Sequence, residues 1–350
     1  MVQNPYTLMF GRLPGQVISR VQDTDQIISV FTDPVPSQQV YMLTGVRGSG
    51  KTVMLSEIIK RMKILENWII VELNPGGDLL KNMLSKLCSI PELDHAFQLE
   101  GINLSFFGLG VDLQGKTAVK DEETALLKTL ETVKKKGKRV LIAIDEAFSS
   151  PAMREFTYTF QILARHDLPV FLLMTGLYDN IDALQNADNL TFLYRAPKIV
   201  LSPLSIRRIA SNYRDVFEVN DQTAHEMALL TRGYSFAFQV LGYFTWEHKG
   251  DYRKALGETR NYLFDYSYDK IWSELSPEDR RVSWGIASAG SERVAEIRKK
   301  LHMDTNHLNP YRKRLIRKGI VNGDVYGHMS FMLPFFEEYV LENYDGTDQA

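Results

Sequence analysis

Apolar and polar positions follow two rhythms along the chain. As far as about residue 201, short β-branched or apolar runs alternate with longer segments of helical period, the pattern of a parallel α/β sheet rather than an all-helical or all-β fold. The pattern predicts strands at Val40–Thr44, Trp68–Leu73, Arg139–Ile144, Val170–Thr175 and Lys198–Leu201. Val140–Ile144 and Val170–Met174 are unbroken apolar runs, as expected of strands buried on both faces. Helices are predicted between the strands at Gly50–Glu66, Leu79–Leu87, Glu122–Lys136 and Pro151–Arg165. Gly101–Asp112, with weak alternation, three glycines and the adjacent Phe106 and Phe107, reads as an inserted hairpin.

Beyond Leu201-Ser-Pro-Leu-Ser205 the rhythm changes. Residues 206–275 have a helical period throughout, which predicts a separate helical domain. Ser276-Pro277-Glu278 is a helix start. Three helices follow, the second and third meeting at Met303–Asn306, and then two short strands, Ile320–Asn322 and His328–Met332. That order is a helix-turn-helix with a wing. The expected division is residues 1–205, 206–275 and 276–350, with no internal repeat or low-complexity segment.

Composition narrows the reading. With 44% hydrophobic and 11% aromatic residues the chain can bury sizeable cores, which argues against disorder. The longest uncharged stretch, Gly233–Trp246, is shorter than the ~18 residues of a membrane span, so no membrane partner is expected. Met1–Arg12 lacks the basic and apolar runs of a signal peptide, and Cys88 is alone, so a reducing, cytoplasmic location is the expectation. The seven histidines are scattered without metal-ligand spacing. The net charge of −2 excludes a uniformly basic coat for nucleic acid.

The chemistry is concentrated in two segments. Gly45-Val46-Arg47-Gly48-Ser49-Gly50-Lys51-Thr52 matches G-x-x-x-x-G-K-[ST] at every fixed position, directly after a predicted strand and before a predicted helix. Its glycines let backbone N–H groups approach phosphates, Lys51 supplies a point charge to the β- and γ-oxygens, and Thr52 offers a hydroxyl to Mg²⁺. The second is Val140-Leu-Ile-Ala-Ile-Asp145-Glu146, an apolar strand ending in two acids at the carboxyl edge, where open α/β sheets bind ligands. Asp145 is placed to hold the water shell of Mg²⁺, and Glu146 to orient or deprotonate an attacking water. ATP and Mg²⁺ are therefore the expected ligands.

The P-loop, the Asp-Glu strand end, a third strand ending in Met174-Thr175-Gly176 and an arginine before the fifth strand resemble, in that order, an AAA+ P-loop ATPase. Asn4-Pro5-Tyr6-Thr7, Phe10-Gly11, Asp145-Glu146-Ala147, Thr175-Gly176-Leu177 and Phe192-Leu193-Tyr194-Arg195-Ala196 narrow the resemblance. They are similar to archaeal- and bacterial-type members related to the origin-recognition and STAND ATPases, over essentially the whole chain. The resemblance implies a five-stranded parallel sheet followed by a helical lid and a winged helix. It also implies that Thr175 senses the γ-phosphate or the water, that Arg195 is a finger offered to a neighbouring subunit, and that the N-terminal segment with Arg20 covers adenine. For Thr175 a strand-end residue without ligand, and for Arg195 an intradomain pair, remain the alternatives. The chain departs from the family where a sensor-2 arginine or a Gly-x-Pro turn is expected: Phe236 and Ser235 occupy those places, and Arg232 precedes them.

The small net charge is a cancellation. Residues 291–320 hold nine bases against three acids, whereas residues 321–350 hold six acids and no base. On the third helix of the winged domain, about Thr305–Lys318, Asn306, Tyr311, Arg312 and Arg314 are the candidates for contact with double-stranded DNA. Two functions follow. One is a nucleotide-controlled ATPase whose winged helix binds DNA, and the other is a STAND-like switch with slow turnover that signals through a protein partner; a homo-oligomer or a protein partner is the open alternative for what the chain assembles with. A small-molecule kinase would need neither the winged helix nor the arginine before the fifth strand.

Overall fold

The computed structural model describes residues 3–9, 14–91, 93, 121–187 and 191–346; the expected hairpin at Gly101–Asp112 lies outside them. The chain forms two compact units, one of Val21–Thr44 with Lys51–Val200, the other of Met1–Arg20 and Gly45–Gly50 with Leu201–Ala350.

The first unit is a parallel five-stranded sheet, β1 (Val40–Thr44), β2 (Trp68–Leu73), β3 (Arg139–Ile144), β4 (Val170–Gly176) and β5 (Lys198–Val200), in the order β2-β3-β4-β1-β5. Its fold is α/β as expected, and the apolar runs of β1 and β4 are buried at every residue. Helices Lys51–Lys63, Leu79–Cys88, Glu122–Lys135 and Pro151–Arg165 connect the strands. Three of these start at a side-chain cap: Asp78 accepts from the Lys81 amide, Asp121 from Thr124 and Ser150 from Met153. The pairings Leu43↔Thr175 and Ile144↔Met174 bring the ends of β1, β3 and β4 to one carboxyl edge.

Helices Val21–Thr32 and Tyr178–Gln185 were not expected. In the first, Val21-Gln-Asp-Thr-Asp-Gln26 holds a single apolar residue, so the helical period is legible only over its second half. What holds it is tertiary: Ile27 and Phe31 are buried, and Arg139 donates to the carbonyls of Phe31 (2.7 Å) and Asp33 (2.8 Å).

The second unit is helical from Ile206 to Ser273, then a winged helix. Its lid helices are Ile206–Phe217, Asp221–Leu230, Ser235–Glu247, Tyr252–Leu263 and Asp269–Ser273, with a π-turn at Phe264–Tyr268. The winged part has helices Pro277–Ser288, Val294–Leu301 and Thr305–Arg317 and the antiparallel pair β6 (Val321–Asn322) and β7 (Ser330–Phe331). A further helix, Phe336–Asn343, ends it. Three acids of the acid-rich segment, Glu337, Glu338 and Glu342, thus lie on a helix anchored by Phe336, Tyr339 and Val340, and Glu338 and Glu342 face Arg260 at 3.2 and 3.9 Å.

Tyr6 fastens the N-terminal segment to the lid. Its ring is buried, stacks on Phe217 at 5.7 Å and meets Phe238 edge-on, while its hydroxyl donates to Asn212 Oδ1 at 2.7 Å. Gly242 lies directly beneath: a Cβ there would fall 2.5 Å from the Tyr6 ring. Gly242→Ala is therefore expected to lower stability by about 1–3 kcal/mol through overpacking, read as a shifted denaturant midpoint.

Candidate functional site

The phosphate loop follows β1, and Lys51 opens the next helix. Gly48 (φ 75°) and Gly50 (φ 91°) occupy left-handed conformations that side chains resist, and a Cβ on Gly45 would meet Ser49 Oγ at 2.7 Å. The Ser49 amide closes a turn onto the Val46 carbonyl at 3.1 Å. Each motif glycine is thus required by local geometry.

Within the α/β unit, Thr52, Asp145, Glu146 and Thr175 form one hydrogen-bonded set. The Thr52 hydroxyl donates to Asp145 Oδ2 at 2.8 Å, and the Thr175 hydroxyl donates to Asp145 Oδ1. The Glu146 amide donates to Asp145 Oδ1 at 3.1 Å and to Thr175 Oγ1 at 3.2 Å. Glu146 itself has φ 54°, a left-handed conformation costing about 1–3 kcal/mol in a residue with a side chain. Those two bonds to its amide hold it there, and its side chain is exposed. The Ala147 amide bonds the Thr175 carbonyl at 2.7 Å, and a Cβ on Gly176 would fall 2.8 Å from the Ala147 carbonyl oxygen. The tip of β4 therefore shapes the turn that presents the two acids.

Thr175 is fully buried, and its hydroxyl is spent on Asp145 and Glu146. It orients the acid pair. Arg195 is exposed beside Tyr194, itself 73% exposed, just before the edge strand β5.

Within the second unit, loop residues Gly45–Gly50 are held by the lid and the N-terminal segment. Tyr234 Oη donates to the Arg47 carbonyl (2.7 Å), the Phe236 amide to Gly48 (3.1 Å) and Ser235 Oγ to Ser49 (2.9 Å). Arg47 also pairs with Glu274 at 2.9 Å. Arg20 Nη2 donates to the carbonyls of Ser49 (3.0 Å) and Ser202 (2.8 Å), so Arg20 anchors backbone where a cover for adenine was expected. Arg232 donates to the Phe331 carbonyl at 2.7 Å, in the wing, and so serves the winged domain. Sequence reasoning missed Tyr234 altogether, because nothing local distinguishes it from a core tyrosine.

The candidate DNA-contact residues divide. Asn306 is exposed at the start of its helix. Arg314 is engaged within its own domain, although its side chain stays 42% exposed: its Nε donates to Asp279 Oδ1 at 2.8 Å and its Nη2 to Ser276 Oγ at 3.0 Å, while its guanidinium lies 5.1 Å from the Tyr311 ring centroid. Asp279 is almost completely buried, so this arginine satisfies a core acid. Arg312 reaches the Gly323 carbonyl at 3.5 Å. The exposed bases on these helices are Lys299, Lys300, Lys313 and Arg317, and Lys300 lies 5.2 Å from the Trp284 ring centroid.

Among the described residues no three His, Cys, Asp or Glu side chains converge as a metal cage, and no helix is long and apolar enough to cross a membrane. No curated protein matches the sequence. A family model described as a domain of unknown function (DUF8462) matches residues 265–340. Among the solved structures that resemble the chain over more than nine tenths of its length are the following two. A Walker-type ATPase of Pyrococcus abyssi does so at 16% identity and a TM-score of 0.63, covering 93% of this chain and 96% of that one. Cdc6p of Pyrobaculum aerophilum does so at 13% identity and a TM-score of 0.50, covering 95% and 96%. The fold of this chain is the one that these two structures share.

Proposed function

We propose that the chain binds ATP with Mg²⁺, hydrolyses it to ADP and phosphate, and uses the nucleotide state to control a winged helix that binds duplex DNA. The observation that carries the reading is the hydrogen-bonded set of Thr52, Asp145, Glu146 and Thr175, in a chain whose sequence holds a complete phosphate-loop motif. In this reading the amides of residues 45–50 and the Lys51 ammonium hold the β- and γ-phosphates. A threonine hydroxyl next to a carboxylate is a hard-oxygen donor set that suits Mg²⁺, so Thr52 and Asp145 fit the role assigned to them. When bound there, the ion would neutralise charge on the β- and γ-oxygens. Glu146 accepts a proton from, or orients, the water aimed at the γ-phosphorus. Its backbone strain points the same way, because such strain persists where surrounding bonds hold a functional group in place. Thr175 is a positioning residue for Asp145, and Arg195 acts on the nucleotide of a neighbouring subunit.

We assign residues 1–205 to the nucleotide domain, 206–275 to the lid and 276–350 to the winged helix, in a cytoplasmic protein. For DNA we propose contacts from Asn306, Tyr311 and Arg312 joined by the exposed Lys313 and Arg317, and not from Arg314. Duplex binding should weaken steeply between ~50 and ~200 mM salt, as phosphate contacts require. Two substitutions separate contact from scaffold. Lys313→Ala should weaken DNA binding and leave stability unchanged. Arg314→Ala should lower stability by about 1–3 kcal/mol, since a buried carboxylate loses its donor. Absence of a mobility shift with ATP, with ADP and without nucleotide would end the DNA reading.

A second reading, a switch with slow turnover that signals to a protein, draws on the loop carbonyls tied to the lid. Turnover measured against protein concentration decides: a flat, near-zero rate supports the switch.

A further inference from the structure

We propose that Tyr234 is a positioning residue of the phosphate loop, fixing it from its carbonyl side and linking its conformation to the winged helix. The inference rests on the nucleotide-binding reading above. Three consecutive loop carbonyls, Arg47, Gly48 and Ser49, accept from three consecutive lid residues, Tyr234, Phe236 and Ser235 between them. In a trans peptide the C=O of one residue and the N–H of the next point in opposite directions. Pulling the Arg47 and Ser49 carbonyls outward therefore aims the Gly48 and Gly50 amides inward, the orientation an anion nest needs. The contact is close: a Cβ on Gly48 would overlap Tyr234 Oη, so a tyrosine held here requires a glycine at position 48.

The hydroxyl has a second partner. Ser267 Oγ lies 2.8 Å from Tyr234 Oη, and because the tyrosine proton goes to Arg47, the serine is the donor. Burial raises the Tyr234 pKa above its ordinary value, so the hydroxyl keeps its proton at neutral pH. Ser267 belongs to the π-turn Phe264–Tyr268, a geometry that is rare and is found mostly as single turns. The next two residues hold the winged domain: Tyr268 donates to the Pro334 carbonyl, and Asp269 accepts from Tyr339 at 2.7 Å. One helical turn thus has its serine on the phosphate loop, through Tyr234, and its neighbours on the winged helix. It stands in the lid of a chain that has Phe236 where the family carries an arginine.

Two variants test the proposal by nucleotide affinity and by hydrogen exchange of residues 333–340 with and without ATP. Tyr234→Phe keeps the ring and removes the donor. Its affinity for a fluorescent ATP analogue is expected to fall roughly three- to tenfold, the worth of one hydrogen bond. Ser267→Ala leaves the loop contact in place and cuts only the link. In the unaltered protein ATP should slow exchange at residues 333–340, and both variants should lose that protection. Unchanged affinity in Tyr234→Phe overturns the positioning role. Protection that survives in Ser267→Ala, or is missing from the unaltered protein, overturns the link. A parent protein that binds no nucleotide overturns instead the ATPase reading on which this rests.

Discussion

Glu146→Gln is expected to reduce ATP turnover by about 10²–10⁴-fold while leaving nucleotide affinity within a few-fold of the parent, since general-base contributions are of that size. The substitution keeps the shape of the side chain and removes only its basicity. The residue's φ of 54° is held by the bonds its amide donates to Asp145 Oδ1 and Thr175 Oγ1, and neither involves its side chain. Stability should therefore stay within about 0.5 kcal/mol of the parent. Steady-state phosphate release, equilibrium binding of ATP and a denaturation curve together check the prediction. Hydrolysis at the parent rate would remove Glu146 from the chemistry. Asp145→Asn should behave differently, because Asp145 accepts from Thr52, Thr175 and the Glu146 amide at once. Losing its charge disturbs the turn as well as the ion site, so affinity for ATP in the presence of Mg²⁺ and stability should fall together.

Arg195→Ala is expected to lower turnover by about 10³-fold in an assembled protein, the lower end of what a finger contributes. The guanidinium is exposed beside the edge strand β5, where a second chain can reach it. A finger acting across subunits carries a specific signature. Mixing Arg195→Ala with Glu146→Gln should restore part of the rate, because each variant supplies the group the other lacks. Turnover should also rise with protein concentration. A parent-like rate in Arg195→Ala, or no rescue on mixing, would assign Arg195 to its own chain or to no catalytic role.

Much of the fold was legible because the signals are local. The five expected strands of the parallel sheet appear within one residue of their predicted bounds, since an unbroken apolar run such as Val170-Phe-Leu-Leu-Met174 marks a strand buried on both faces. The second wing strand, by contrast, was expected at His328–Met332 and is shorter at Ser330–Phe331. The phosphate loop was legible because its glycines answer to backbone conformation at Gly48 and Gly50, a property of the segment itself. Helix Val21–Thr32 was not, since its stabilising contacts come from Arg139, more than 100 residues away. The final helix, Phe336–Asn343, was not expected, because counting charge over residues 321–350 says nothing of its period, although its Phe336, Tyr339 and Val340 are buried.

The sequence by itself determined the chemical inventory: a phosphate loop, two acids at a strand end, an arginine before the last strand, and basic helices in a winged domain. Tertiary structure alone decided how these groups are engaged. It joined Thr175 to Asp145 through the register of β3 against β4, paired Arg314 with a buried aspartate, and gave Arg20 to the loop backbone. It also brought Tyr234 to Arg47 across 187 residues. The physical reason is the same in each case. Periodicity and turn chemistry report which face of a segment is buried and how the backbone bends. The partner that meets a buried donor or acceptor is chosen by packing among segments far apart in the chain.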